Sequence, residues 1–326
     1  MTYPRVLCLG EILFDYLADR SGFTLEQVES WTRYPGGAPA NVACALVKLG
    51  ISAGFIGAVG RDELGDSLVE VLQEVGVDTT GVQRHSTAPT RQVYVLRNEM
   101  GDRSFVGFGE CNTAEFADTH LLAAKIPEVL FENAEFLVLG TLGLATPDSR
   151  EAITKAIKLS EIYNVKIIAD INWRPLFWPN PDEAKPQIKE LLKKVDFLKL
   201  SDDEAEWLFA TTDAGAITYR LDSPEGVFVT AGDRGCSYCI SENEGKIPAF
   251  QVDVEDTTGA GDGFVAGLVS QLCKVGIKSL RDAETTKKVV TYASAVGAMT
   301  AMKPGAISAQ PTATEVEAFL YLYKNY

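Results

Sequence analysis

The chain has 326 residues, of which 46% are hydrophobic and 23% charged, so it can bury a sizeable core without disulfide staples. Its 30 Lys and Arg face 45 Asp and Glu, a formal net charge of −15. A surface this acidic repels nucleic acid and anionic lipid, which excludes charge-driven binding to either. Any phosphate site must therefore be local, built from backbone N–H groups, Mg²⁺ and a few basic side chains.

In chain order, Val6–Leu9 reads as a first strand ending at Gly10. It starts too early for a leader, and no apolar run is long enough to span a membrane. The regions around Tyr16 to Tyr34 and Thr90 to Phe108 differ from the rest. Thr90–Arg97 and Ser104–Phe108 flank the turn-rich Asn98-Glu99-Met100-Gly101-Asp102, which predicts a hairpin; Tyr16–Tyr34 is expected to supply its partner strands. Four more apolar runs follow: Phe136–Leu139, Lys166–Ala169, Phe197–Leu200 and Val227–Val229, ending at Gly140, Asp170, Ser201 and Thr230. Helical patterns lie between several of them, as at Ser149–Tyr163 and Pro181–Lys194. This alternation predicts a mainly parallel sheet covered on both faces, with ligands at the carboxyl ends of its strands. The six cysteines are dispersed. Cys236 and Cys239 share a predicted strand but fall on opposite faces, so a bridge or metal clip is not expected, and a reducing cytoplasm is.

The chemistry concentrates in Asp256-Thr257-Thr258-Gly259-Ala260-Gly261-Asp262. A strand is predicted before it at Ile247–Val252. After it, Phe264, Val265, Leu268, Val269 and Leu272 have helical spacing. A glycine-rich turn thus opens a helix, where unpaired N–H groups and the positive dipole end attract an anion. Asp262, beside that site, is placed to take the proton of an attacking hydroxyl. The plain alternative is a helix-terminal acid after a tight turn.

The Asp256–Asp262 string resembles the hallmark of the ribokinase-like (pfkB) carbohydrate kinases. Gly36-Gly37-Ala38-Pro39-Ala40-Asn41-Val42-Ala43, Gly57-Ala58-Val59-Gly60-Arg61-Asp62-Glu63-Leu64-Gly65, Gly10-Glu11 with Asp15, and Thr230-Ala231-Gly232-Asp233-Arg234-Gly235 are similar to further stretches of that family, so the likeness covers nearly the whole chain. The resemblance implies one three-layer α/β/α domain over 1–326 with a small β-sheet lid from about 15–34 and 89–108. It implies an ATP- and Mg²⁺-dependent sugar kinase with Asp262 as base and the amides of Gly259, Ala260 and Gly261 as anion hole. Asp15, Gly36, Gly37 and Asn41 match sugar-binding positions, and Lys199, Glu204, Thr230, Gly232 and Gly235 nucleotide and phosphate positions. Asn41 could instead cap a helix over Val42–Leu49, and Asp15 could be an exposed strand-end acid.

In Lys199-Leu200-Ser201-Asp202-Asp203-Glu204, Glu204 matches the Glu of the family's N-x-x-E motif, but Ser201 replaces its Asn. Plant-type fructokinases look similar here. Glu204 would reach Mg²⁺ through water; otherwise it is a solvated first-turn acid. Asp170-Ile171-Asn172-Trp173-Arg174-Pro175-Leu176-Phe177-Trp178 resembles a stretch of fructokinases and 2-keto-3-deoxygluconate kinases. Arg174 then meets sugar or phosphate oxygens, unless it packs on Trp173 and Trp178. Fructose is the expected substrate and the keto-acid the alternative. A K⁺ site is implied at Asp256 and Thr258 with carbonyls of Thr300, Lys303, Gly305 and Ala309, unless that later loop is a plain turn after a Thr291–Met302 helix. Val93, Val95 and Phe105 are expected to form an exposed apolar lid face that pairs two copies. A kinase-like binding protein is the non-enzymatic alternative. A dinucleotide oxidoreductase is excluded, because Gly10-Glu11-Ile12 stands where a G-x-G-x-x-G fingerprint belongs.

Overall fold

A computed structural model describes residues 3–20, 22–97, 103–221 and 224–323. Thirteen strands form two sheets among these residues. The strands are β1 (Val6–Leu9), β2 (Leu13–Ala18), β3 (Trp31–Gly36), β4 (Ala53–Gly60), β5 (Asp78–His85), β6 (Gln92–Arg97), β7 (Arg103–Gly107), β8 (Phe136–Gly140), β9 (Lys166–Asp170), β10 (Phe197–Ser201), β11 (Gly226–Thr230), β12 (Cys236–Ile240) and β13 (Asn243–Ile247).

The large sheet runs β13-β12-β11-β10-β9-β8-β1-β4-β5. Every pairing from β11 to β5 is parallel; the β12–β13 hairpin adds an antiparallel edge. Alternating side chains enter two cores, as a doubly covered sheet requires. One face packs Leu7, Leu9, Leu137, Leu139, Leu198 and Leu200 against α3 (Pro147–Tyr163), α4 (Ala184–Leu192), α5 (Asp202–Phe209) and α6 (Ala214–Leu221). The other packs Val6, Cys8, Phe136, Val138, Phe197 and Phe228 against α1 (Ala38–Lys48), α2 (Glu63–Val75), α7 (Ala260–Val275) and α8 (Ala283–Thr300). A short α9 (Ala306–Ala309) and a final α10 (Ala313–Tyr323) complete that layer. Cys236 lies in one core and Cys239 in the other, and all six thiols are free. No described helix is long and apolar enough to cross a membrane.

The small sheet runs β3-β2-β6-β7. Its β6–β7 pair is the expected hairpin, whose turn lies outside the described residues. The partner strands β2 and β3 come from the expected region, with β2 parallel to β6. Asp62 ties this sheet to the large one. Its Oδ1 accepts the Gly65 N–H (2.7 Å) at the start of α2 and the Thr90 hydroxyl (2.6 Å), and its Oδ2 accepts the Thr90 N–H (2.8 Å).

Three expectations need correction. The strand predicted at Ile247–Val252 stops at Ile247, because Pro248 has no N–H to continue the ladder. Asn41 caps nothing: α1 begins at Ala38, and the Asn41 N–H already donates to Gly37 O (2.8 Å) inside it. Val93 and Val95 are not on an exposed face; both are fully buried against the main core, because strand alternation turns them inward, and only Phe105 of that trio is exposed. The opposite face of the small sheet carries Tyr16 stacked on Tyr94 (5.1 Å) with Trp31 edge-on to Tyr94 (5.0 Å).

Candidate active site

The strand ends at Gly10, Asp170, Ser201 and Thr230 align along one edge of the parallel sheet, and α7 enters beside them. Its N-terminal turn needs glycine for identifiable reasons. Gly259 has φ 75°, and a Cβ there would meet the Ala306 Cβ at 2.8 Å. A Cβ on Gly261 would meet Lys199 Nζ at 2.8 Å. The glycines let this backbone lie close to Ala306 and to the Lys199 ammonium, and the Ala260 N–H donates back to Thr257 O (3.2 Å) within the turn.

Asp262 sits in the first turn of α7. Its Oδ2 accepts a hydrogen bond from Asn41 Nδ2 (2.8 Å), which joins α1 to α7. The other polar atom of that amide, Asn41 Oδ1, is buried with no hydrogen-bond partner among the described residues. Gln310 Nε2 donates to Asn41 O (2.8 Å) and fixes this part of α1. Burial raises the Asp262 pKa, and the Asp170 carboxylate raises it further. The Asn41 bond, Lys199 and Arg174 pull it back, leaving it at about 6. That keeps Asp262 ionised at neutral pH yet a better base than an ordinary Asp.

Lys199 projects from β10 onto Asp170 at the end of β9, with Nζ 3.0 and 3.1 Å from the two carboxylate oxygens. Both side chains are buried. Burial works against the Lys199 charge, but Asp170, Glu204 and Asp262 outweigh it, so the pKa rises and the ammonium stays charged. Motif reading does not foresee this pair; a polar strand-end Asp beside a strand Lys is the available signal.

Glu204 is not a solvated acid. It is buried, with Oε1 accepting the Trp173 N–H (2.6 Å) and Oε2 the Ser201 N–H (2.7 Å), while Ser201 Oγ accepts the Glu204 N–H (3.2 Å). Ser201 and Glu204 thus form a capping box on α5, which the S-x-x-E spacing could have revealed. Glu204 also fastens the loop that carries Arg174 to the end of β10. Within that loop Asn172 adopts φ 44°, a left-handed conformation that Asn tolerates. Arg174 does not stack on Trp173 or Trp178. Trp173 instead stacks on Trp207 (4.5 Å, 10°), and the Arg174 guanidinium donates to Trp173 O (2.8 Å) and lies over Phe105 of the small sheet (5.8 Å).

Asp15 on β2 is half-buried and faces β3, where a Cβ on Gly36 would come within 2.8 Å of Asp15 Oδ2. Gly37 has φ 103°, and its Cβ would strike Glu11 O at 2.5 Å. Glu11, outside the expected set, is buried with Oε1 accepting the Ala38 N–H (3.0 Å), and burial lifts its pKa to about 7. Nearby, buried Arg91 binds Asp118 (2.7 Å) and packs among Phe108, Phe116 and Phe177; no motif marked it.

Thr230, Gly232 and Gly235 line a cleft of about 320 Å³ together with Ala260 and Gly261. Its other walls are mostly apolar: Phe250, Val252, Phe264, Gly297 and Ala298. Asp256 precedes Thr257, which lines the cleft. Its Oδ1 accepts from Thr258 N (3.0 Å) and Oγ1 (2.7 Å), and its Oδ2 from Gly305 N (2.9 Å). The two segments expected around a monovalent cation are therefore joined. Thr300 ends α8 with its hydroxyl bonded to Val296 O (2.8 Å), Lys303 is exposed, and Ala309 ends α9.

A glycine turn, a buried carboxylate and an apolar cleft converge here, and the family pattern continues along the chain: residues 4–313 match the model of the pfkB family carbohydrate kinases. The chain belongs to that family. Fructokinase-2 of Zea mays is 34% identical over 310 residues, covering 94% of this chain and 91% of the maize protein. Fructokinase-1 of Zea mays is also 34% identical, covering 95% and 96%. Among solved structures, the fructokinase of Xylella fastidiosa with bound ATP superposes with a TM-score of 0.88 at 29% identity, covering 98% of both chains. A Vibrio cholerae fructokinase double mutant with fructose, ADP and potassium ion bound has a TM-score of 0.85 at 26% identity, covering 98% of this chain and 99% of that one. As a pfkB carbohydrate kinase, this protein is an ATP-dependent sugar kinase of the ribokinase fold.

Proposed function

We propose that the protein phosphorylates D-fructose at its 6-hydroxyl with Mg-ATP. The observation that carries this reading is the Asn41–Asp262 bond beside the glycine turn, which puts a sugar-type hydrogen-bonding amide and a poised base at one point. The fructokinase names of the relatives direct the choice of sugar. Asp15, Gly36, Gly37 and Asn41 hold the sugar hydroxyls, Asn41 Oδ1 accepting one of them. Arg174, braced by Trp173 O and Phe105, covers the far side. The adenosine half of ATP lies in the apolar cleft, with its phosphates directed past Thr230, Gly232 and Gly235 to the glycine turn.

The 6-hydroxyl gives its proton to Asp262 as its oxygen bonds to the γ-phosphorus. The bond from that phosphorus to the β–γ bridging oxygen breaks, and ADP leaves. The amides of Gly259, Ala260 and Gly261, with Lys199, stabilise the charge on the phosphoryl oxygens. Mg²⁺ would come with ATP and neutralise phosphate charge, mostly through phosphate and water ligands, with Glu204 reached through water. Asp256 and Thr258, with the carbonyls of Thr300, Lys303, Gly305 and Ala309, would hold K⁺ and steady the anion hole. The small sheet, about 15–34 and 89–108, acts as the lid of one kinase domain. Two copies pair through its outer Tyr16–Tyr94–Trp31 face, and the free thiols suit the cytoplasm.

The test is a panel of fructose, ribose, 2-keto-3-deoxygluconate, tagatose and adenosine with Mg-ATP. Fructose should give the highest kcat/KM. A higher value for the keto-acid would assign the Arg174 fork to a carboxylate and replace the sugar. No ADP release with any member would leave a binding protein.

A further inference from the structure

One wall of the 320 Å³ cleft is made by residues 249–254, of which Ala249, Phe250, Gln251, Val252 and Val254 face the cavity. This stretch belongs to no helix or strand. Among the described residues, its main-chain groups make one hydrogen bond, from Gln251 N–H to the Tyr323 hydroxyl (2.7 Å). The ring of Phe250 packs edge-on against Phe319 (5.2 Å, 60°) and Tyr323 (4.8 Å, 79°). Phe319 and Tyr323 are one turn apart on α10 and contact each other (5.5 Å). The wall therefore leans on the end of α10, beyond the last motif of the site.

We infer that the end of α10 sets the affinity for the nucleotide, with Tyr323 and Phe319 as positioning residues that hold residues 249–254 in the shape the nucleotide meets. This rests on reading the cleft as the nucleotide site. An untethered stretch must be ordered when ligand arrives, and that ordering is subtracted from the binding free energy. Neither residue touches the sugar or the phosphoryl path, so the effect falls on ATP alone.

The experiment uses the full chain with Tyr323→Phe, which removes only the hydroxyl, and Phe319→Leu, which keeps an apolar side chain. Mg-ATP binding is measured by calorimetry, and KM and kcat with fructose at saturating co-substrate. Tyr323→Phe should raise Kd and KM for ATP roughly 2–10-fold, the range for one net hydrogen bond. Phe319→Leu should raise them as well. KM for fructose and kcat at saturating ATP should match the parent for both variants. If the parent binds Mg-ATP and both variants bind it equally well, the inference is wrong while the site reading stands. If the parent does not bind Mg-ATP, the site reading fails and the inference with it. An equal loss of affinity for ATP and fructose would also overturn it, as a general effect on the fold.

Discussion

Replacing Asp262 by Asn should weaken catalysis and strengthen the fold at once. The side chain keeps its shape, and its carbonyl oxygen can still accept from Asn41 Nδ2. What disappears is a proton acceptor whose pKa is raised from 3.8 to about 6. For a group whose folded pKa lies above its unfolded value, the favourable contribution is complete below the unfolded pKa and is lost as pH rises through the folded one. Each tenfold gain in proton affinity on folding corresponds to about 1.4 kcal/mol. At about pH 7.5 the ionised carboxylate therefore destabilises the fold by ~3 kcal/mol relative to a neutral side chain. Chemical denaturation should find Asp262→Asn more stable than the parent by ~2–3 kcal/mol at that pH, with the gap closing near pH 4. Steady-state kinetics should find kcat lower by roughly 10²–10⁴, with ATP affinity nearly unchanged. A kcat within a few-fold of the parent would remove Asp262 as base. A variant less stable than the parent by the same margin at both pH values would refute the electrostatic reasoning.

Three further outcomes follow from the geometry. With Asp262 acting as an ionised base, kcat/KM for the sugar should climb through an apparent pKa of about 6 and flatten above it; an acid limb near an ordinary Asp value would contradict the burial effect. Arg174→Lys keeps the charge but loses the planar fork braced on Trp173 O and Phe105, so KM for the sugar should rise more than KM for ATP; equal rises would move Arg174 to the phosphate path. Asp118→Ala should destabilise the protein by ~3–5 kcal/mol in denaturation, because it leaves the buried Arg91 guanidinium without its carboxylate; a loss under ~1 kcal/mol would show the pair to be dispensable.

The parallel strands were legible because their apolar runs are uninterrupted and end in polar residues: β1 runs over Val6–Leu9 as read, and β8 to β11 differ by a residue at one or both ends. β5 was not legible. Asp78–His85 lies at a sheet edge and carries mostly polar side chains, so it shows no apolar run. The glycine turn and Asp262 could be read because backbone approach demands glycine at fixed spacing. Contacts between distant segments left no such trace. Lys199 meets Asp170 across 29 positions, and Asn41 meets Asp262 across 221. Arg91 falls inside the predicted strand Thr90–Arg97 with no motif around it, and its burial depends on three aromatic rings brought together only by the fold. Val93 and Val95 illustrate the reverse limit: alternation identified an apolar face, but not that the main core covers it.

If a γ-phosphoryl group passes from ATP to the 6-hydroxyl of fructose at Asp262, the product itself carries the proof. NMR of the material formed from fructose and Mg-ATP shows which carbon couples to phosphorus. Coupling is expected at C6, with no such product from Asp262→Asn on the timescale of parent turnover. Coupling at C1, or C6 phosphorylation by the Asn variant at the parent's rate, would contradict the mechanism.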